Sequence, residues 1–194
     1  MKMWMLVIFA VACVSSGCAT PKDLRRLTKQ QVIDALRLQP MSDEACPGYF
    51  RMTYESKTRA ALTKDRPAAS LIYYMMTPEV TVDPWHIISS DEILLYHSGA
   101  PMIMMLLYPD GSWKEAVLGP EADKGHVMQE VIPKNTWMGF VKREDPGYDW
   151  GLYGVMVVPG WHIDDIRMAE PPELKELMSR YPQAVPRGRE LGLF

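Results

Sequence analysis

Cysteine is scarce in this 194-residue chain, with only Cys13, Cys18 and Cys46, no C-x-x-C pair and no Cys/His spacing that suggests structural zinc. Neither a disulfide framework nor a zinc module can account for its stability. An excess of one charge is missing too: the formal net charge is −3. Basic residues are scattered except for Lys22, Arg25, Arg26 and Lys29, so there is no footprint for nucleic acid, and that one cluster reads as a solvated tether rather than a phospholipid contact. No G-x-S-x-G is present, and Cys46 has no histidine partner recognisable in the sequence, which removes the usual nucleophilic hydrolases. The apolar run from Met3 to Val14 falls short of the roughly 20 residues that span a hydrocarbon core.

What is present suits one well-filled core, with 47% hydrophobic and 23% charged residues. Sixteen Pro and thirteen Gly favour a turn-punctuated β domain over a helical bundle. Fifteen Met suit a pliable interior, because the unbranched thioether fills irregular gaps; a compositional bias of the source explains them equally well.

Residues 1–17 read as a secretion signal: Lys2, the apolar run, then Ser15-Ser16-Gly17 before Cys18-Ala19-Thr20. Small residues ahead of Cys18 resemble a bacterial lipobox, which implies cleavage before Cys18 and a lipid on its sulfur. Ser15 stands where such boxes prefer an aliphatic residue, and ordinary cleaved secretion or a signal anchor are the alternatives. Residues 18–27 form the lipidated tether, and Ala19 resembles the sorting residue of outer-membrane lipoproteins if the source is Gram-negative. The expectation is an exported protein, lipid-anchored to the bacterial cell envelope, in which Cys13 is discarded and Cys46 has no disulfide partner.

Further along, Thr28-Lys29-Gln30-Gln31 is a capping-box pattern, and Val32, Ile33 and Leu36 follow at helical spacing, predicting a helix over 28–37. Nine short aromatic and β-branched runs come next, at 48–54, 70–77, 93–97, 102–108, 113–118, 127–132, 136–142, 151–158 and 162–168. Pro/Gly/Asp turn signals separate them, and strands at this spacing make a sandwich or barrel. Pro171-Pro172-Glu173 opens a final helix with Leu174, Leu177, Met178 and Tyr181 on one stripe. Residues 184–194 read as a flexible, frayed tail.

The informative stretch is Trp85-His86-Ile87-Ile88-Ser89-Ser90-Asp91-Glu92, continuing to Gly99. It resembles the first cupin motif, and Pro133-Lys134-Asn135-Thr136-Trp137-Met138 resembles the second. Together with Gly48-Tyr49-Phe50, Leu71 to Pro78, Gln129, Val158-Pro159-Gly160 and Tyr181-Pro182-Gln183, the chain over 28–183 is similar to a family of small single-domain cupins of unknown function. The resemblance implies an all-β fold, the cupin double-stranded β-helix or jelly roll, with the two terminal helices packed outside. It also implies a ligand pocket, a kinship in shape with deoxysugar-nucleotide epimerases, and a homodimer.

The sequence departs from the cupin pattern at four places. Ile88 and Met138 stand where a metal-binding cupin has histidines, so a divalent metal at His86 and Glu92 would depend on Gln129, a poor ligand, and no metal or other cofactor is expected. Lys134-Asn135 replaces an Ala-Gly, and Asn tolerates the left-handed turn. Leu94 and Leu95 stand where the family places Trp and His.

The ligand-binding residues expected are Tyr73, His86, Glu92, Tyr96, Gln129, Trp137 and Met138, with His86 and Glu92 as the candidate catalytic pair. Period-2 alternation puts Glu92, Leu94 and Tyr96 on one face of their strand and His97 on the other. His126 and His162 lie beside turn signals and are expected at the surface. The leading functional reading is an envelope lipoprotein whose cupin domain binds a polar small molecule such as a carbohydrate derivative. A metal-independent sugar isomerase or epimerase using His86 and Glu92 is the alternative, and a structural envelope protein with a vestigial pocket is the third.

Overall fold

A computed structural model describes residues 23–41, 46–60 and 65–194. The signal segment and Cys18 lie outside the described residues. In chain order the elements are a 3-10 turn (Leu24–Arg26), α1 (Lys29–Leu36), β1 (Gln39–Pro40), β2 (Tyr49–Glu55), β3 (Ser70–Met76), β4 (Val82–Ile88), β5 (Asp91–Gly99), β6 (Met102–Leu107), β7 (Trp113–Leu118), β8 (Gln129–Ile132), β9 (Trp137–Lys142), β10 (Gly151–Val158), β11 (Ile166–Met168), α2 (Pro171–Arg180) and α3 (Val185–Glu190). Short 3-10 turns also precede β8 and β11. The strands form two sheets, ordered β1-β2-β3-β10-β5-β8 and β11-β4-β9-β6-β7, and every neighbouring pair is antiparallel. Two such sheets face to face make a jelly roll, as expected. Among the described residues no helix is long and apolar enough to cross a membrane.

Helices cover part of each outer face. Thr28 caps α1 in a capping box with Gln31, and Val32 and Ile33 pack on Met75, Trp150 and Leu152 of the first sheet. The Trp150 indole N–H donates to the Leu27 carbonyl at 3.1 Å. Gly99 is required beneath it: φ is +86°, and a Cβ there would stand 2.3 Å from the Trp150 carbonyl oxygen. On the second sheet, Leu177, Tyr181, Ala184 and Leu193 cover Trp85, Met105 and Leu107.

Residues 184–194 are therefore no frayed tail. Pro186 in the first turn of α3 suits a helix start, and the chain beyond it buries Leu193 and lays Phe194 on Trp85 at 5.1 Å. The uncovered outer face of β4 and β6 supplies the driving force. Asn135 takes the left-handed conformation, φ 63°, as its place in the second motif predicts.

The jelly-roll interior divides into two halves. Toward β6 and β7 it is solid: Met76, Leu94, Met102, Met104, Leu106, Met138 and Tyr153 belong to one buried cluster. Toward β1, β2, β4 and β11 it is hollow.

Candidate functional site

Three strands carry side chains from the solid half into the hollow half by simple alternation. On β3, Met76 lies in the core while Tyr74, Ile72 and Ser70 line the cavity. On β10 the sequence is Tyr153, then Val155 and Val157; on β5 it is Leu94, then Glu92. The register that pairs Val157 with both Ser70 and Glu92 sets these mouthward ends side by side.

β4 breaks the alternation. Asp83 and His86 are three residues apart, so a regular strand would turn them to opposite faces. A register shift against β9 between Asp83 and His86, at Pro84, which has no N–H to give the ladder, absorbs one residue and turns both inward. Trp85 points outward beneath the C-terminal helices.

The result is a cavity of about 430 Å³. Its walls are mostly apolar, with Met41, Phe50, Met52, Ile72, Phe140, Val155 and Ile166 among them, and Tyr74, Asp83, His86, Glu92 and Cys46 supply the polar surface together with Ser70 and Gln39. No Lys or Arg is among the described lining residues. His86 is 1% exposed. Its Nδ1 lies 2.8 Å from the Pro84 carbonyl, so Nδ1–H donates there. Phe140 packs edge-on against the imidazole at 5.4 Å.

Asp83 accepts from the Tyr74 hydroxyl at 3.1 Å, a proton for which the Pro47 carbonyl at 2.9 Å competes. The other Asp83 oxygen lies 3.5 Å from His86 Nδ1 and has no hydrogen-bond donor; nor has one oxygen of Glu92. Burial drives the Glu92 carboxyl up to about 7, against the pull of His86 and with the push of Asp83. Burial also raises the Asp83 carboxyl, opposed by His86 and by hydrogen bonds from Cys46 and Tyr74. The Cys46 thiol is held well above its ordinary range by burial and by the carboxylates of Asp83 and Glu92, so it stays protonated.

Of the residues expected from sequence, His86 and Glu92 line the cavity. The other five lie elsewhere. Tyr73 faces outward, edge-on to His97 at 5.5 Å and under Arg51, and its neighbour Tyr74 occupies the inner position. Tyr96 is in the solid half, donating to the Gly99 carbonyl at 2.7 Å. Gln129 is exposed opposite Leu95, because the β5–β8 register turns Glu130 and Ile132 inward instead. Trp137 packs outside under Arg167, and Met138 is core filler. His97 and His162 are exposed as alternation and turn signals predict. His126, expected at the surface, is buried, with its Nδ1 accepting from the Glu121 amide at 3.2 Å.

Sequence reasoning missed Asp83, Tyr74 and Cys46. Pro84 inside a strand was a usable sign of a bulge, and hence of Asp83 sharing a face with His86. Cys46 carries no local signal, since the approach to β2 delivers it.

A closed pair of antiparallel sheets around a hollow, with His86 and Glu92 on successive strands, defines a cupin. The model of Cupin_5, described as Cupin superfamily (DUF985), matches residues 30–169, and the chain belongs to that family. It is 30% identical over 131 residues to an uncharacterized protein of Saccharomyces cerevisiae, an alignment taking in 61% of this chain and 65% of the yeast protein; the chain thus spans under two thirds of that relative's length. Among solved structures it is similar to a protein of Shewanella oneidensis (TM-score 0.70, 26% identity, 85% of this chain and 97% of the other). A hypothetical protein from Leishmania major shares the fold (TM-score 0.70, 23% identity, 81% and 94%).

Proposed function

We propose that this protein is a small-molecule-binding cupin whose cavity takes a ligand with a polar, hydrogen-bond-donating head and an apolar body. The carrying observation is the cavity itself, about 430 Å³ with apolar walls and a cluster of Asp83, His86 and Glu92. Two buried carboxylate oxygens without donors call for donors from a ligand, because burying them unpaired is costly. A carbohydrate derivative satisfies the polar cluster but not the walls unless it carries apolar substituents. With no Lys or Arg among the described lining residues, a phosphorylated or nucleotide-linked sugar finds no counter-charge. The test is mass spectrometry of small molecules that co-purify, followed by melting of the protein with each. A bound compound that raises the melting temperature of the wild type and not of Val155→Phe supports the reading; no stabilising compound from a broad panel of amphipathic donors defeats it.

A second reading, acid–base isomerisation without a metal, is favoured by the Glu92 carboxyl titrating at about 7 beside His86. His86 would remove a proton next to a carbonyl, and Tyr74, which lines the cavity, is the tyrosine placed to donate one back. Solvent-deuterium incorporation into a ligand, lost in His86→Ala, would establish it.

Export and lipid anchoring through Cys18 rest on residues 1–20 alone. We propose them on that pattern. A mature chain beginning at a lipid-modified Cys18, read by mass spectrometry, would bear this out, and an unmodified N-terminus would refute it.

A further inference from the structure

The metal set that the cupin resemblance implies is broken at Ile88 and Met138, and neither position regains a ligand in the structure. A different set stands beside it. One ligand atom each from Cys46, Asp83 and His86 lies within 4.8 Å of the others. A tetrahedral zinc with bonds of about 2.0–2.3 Å separates its ligands by roughly 3.3–3.8 Å, so closing on an ion requires only a small contraction. These three come from separate features, the approach to β2 and the two sides of the β4 bulge.

Three further observations point to a cation. Asp83 is 1% exposed and keeps an oxygen without a donor. Glu92, 3% exposed, contributes a second such oxygen to the same cavity. The described lining offers no Lys or Arg to balance Asp83 and Glu92 when they ionise, and buried acidic groups are normally paired or metal-bound. An outer contact is also in place: the Tyr74 hydroxyl donates to Asp83. A partner of this kind orients a metal-bound carboxylate.

We propose that Cys46, Asp83 and His86 hold a divalent cation of the zinc class. Sulfur, nitrogen and oxygen together suit zinc or cobalt and do not suit magnesium or calcium, which take oxygen. Binding replaces the Cys46 S–H bond by a metal–thiolate bond and releases that proton to solvent. Three protein ligands leave a fourth position, which faces the cavity, as in zinc sites that accept water or a substrate.

The test is titration of chelator-treated protein with Co(II), followed by absorption. One equivalent is expected to bind with a thiolate-to-cobalt band in the near ultraviolet and visible bands of four-coordinate cobalt, both erased by zinc. Cys46→Ser should lose the ultraviolet band, Asp83→Asn should bind at least about tenfold more weakly, and His162→Ala, an exposed control, should match the wild type. Wild-type protein that takes up no stoichiometric cobalt overturns the proposal whether or not any variant folds, as does an ultraviolet band that survives in Cys46→Ser. Melting with organic ligands in chelator reads the proposed function separately, so the two can fail independently.

Discussion

The two halves of the jelly-roll interior share β3, β5 and β10 and differ in what alternate residues of those strands supply. In the solid half the inward residues are long and flexible or large and flat: Met76, Met102, Met104, Met138, Leu94, Leu106 and Tyr153. In the hollow half β3 and β10 present Ser70, Ile72, Val155 and Val157, too short to meet across the gap, β3 and β5 add the polar Tyr74 and Glu92, and β4 brings Asp83 and His86. Short residues at Ser70, Ile72, Val155 and Val157 help keep the hollow half open, and Asp83, His86 and Glu92 face that opening. Four of the fifteen methionines, Met76, Met102, Met104 and Met138, serve as adaptable packing for the solid half.

This contrast can be broken most forcefully at Leu106, fully buried in the solid half. Leu106→Ala should cost about 2–5 kcal/mol and lower the melting temperature by roughly 5–15 °C; a loss no larger than that of Ile72→Ala would erase the distinction between the halves.

Glu92 is the next lever. Its carboxyl is raised from 4.5 to about 7 in the fold, so the folded state binds the proton more tightly than the unfolded chain does. In metal-free protein the stability associated with this group is present in full below about pH 4.5 and is lost as pH rises toward 7, by about 3 kcal/mol. Glu92→Gln should remove that slope and be the more stable protein at pH 8. Urea unfolding across pH 4.5 to 8 checks it, and equal slopes in the two proteins would show that Glu92 is not buried as a carboxylic acid.

A smaller effect comes from volume. Val155→Phe adds atoms where space exists and should change stability by about 1 kcal/mol or less, whereas Ala116→Leu in the solid half should cost about 1–3 kcal/mol by overpacking. Smallest of all, Gln129→Ala should leave stability within about 0.5 kcal/mol and ligand binding unchanged, since the amide faces solvent; a loss of binding would place it in the site after all.

The fold was legible because turns and caps are local. The Thr28/Gln31 box, the Asn135 turn and the Pro-rich strand boundaries each act over a few residues, and each appears where the sequence places it. β4 went unread as a strand because Asp83-Pro84 looks like a turn, yet it forms the bulge that sets the site.

The site was legible only at His86 and Glu92, whose spacing follows from one hairpin. Tyr73 and Trp137 were misassigned for a common reason: both pack in the outer clusters beneath the helices, so around them inner and outer residues are alike apolar and the pattern loses the contrast that tells them apart. Gln129 failed on register, which sequence cannot fix without its partner strand. The helix over 185–190 was hidden because its cause is remote, an apolar face on β4 and β6.

Trp85 and His86 are consecutive residues with their backs to each other, one gripped by Leu193 and Phe194 and the other aimed into the cavity. One peptide bond of β4 therefore joins the outer clamp to the cavity wall. Prising away the clamp behind it, by proteolysis or by an antibody against α3, is expected to tilt the imidazole and show up as altered binding inside, though nothing has touched the mouth.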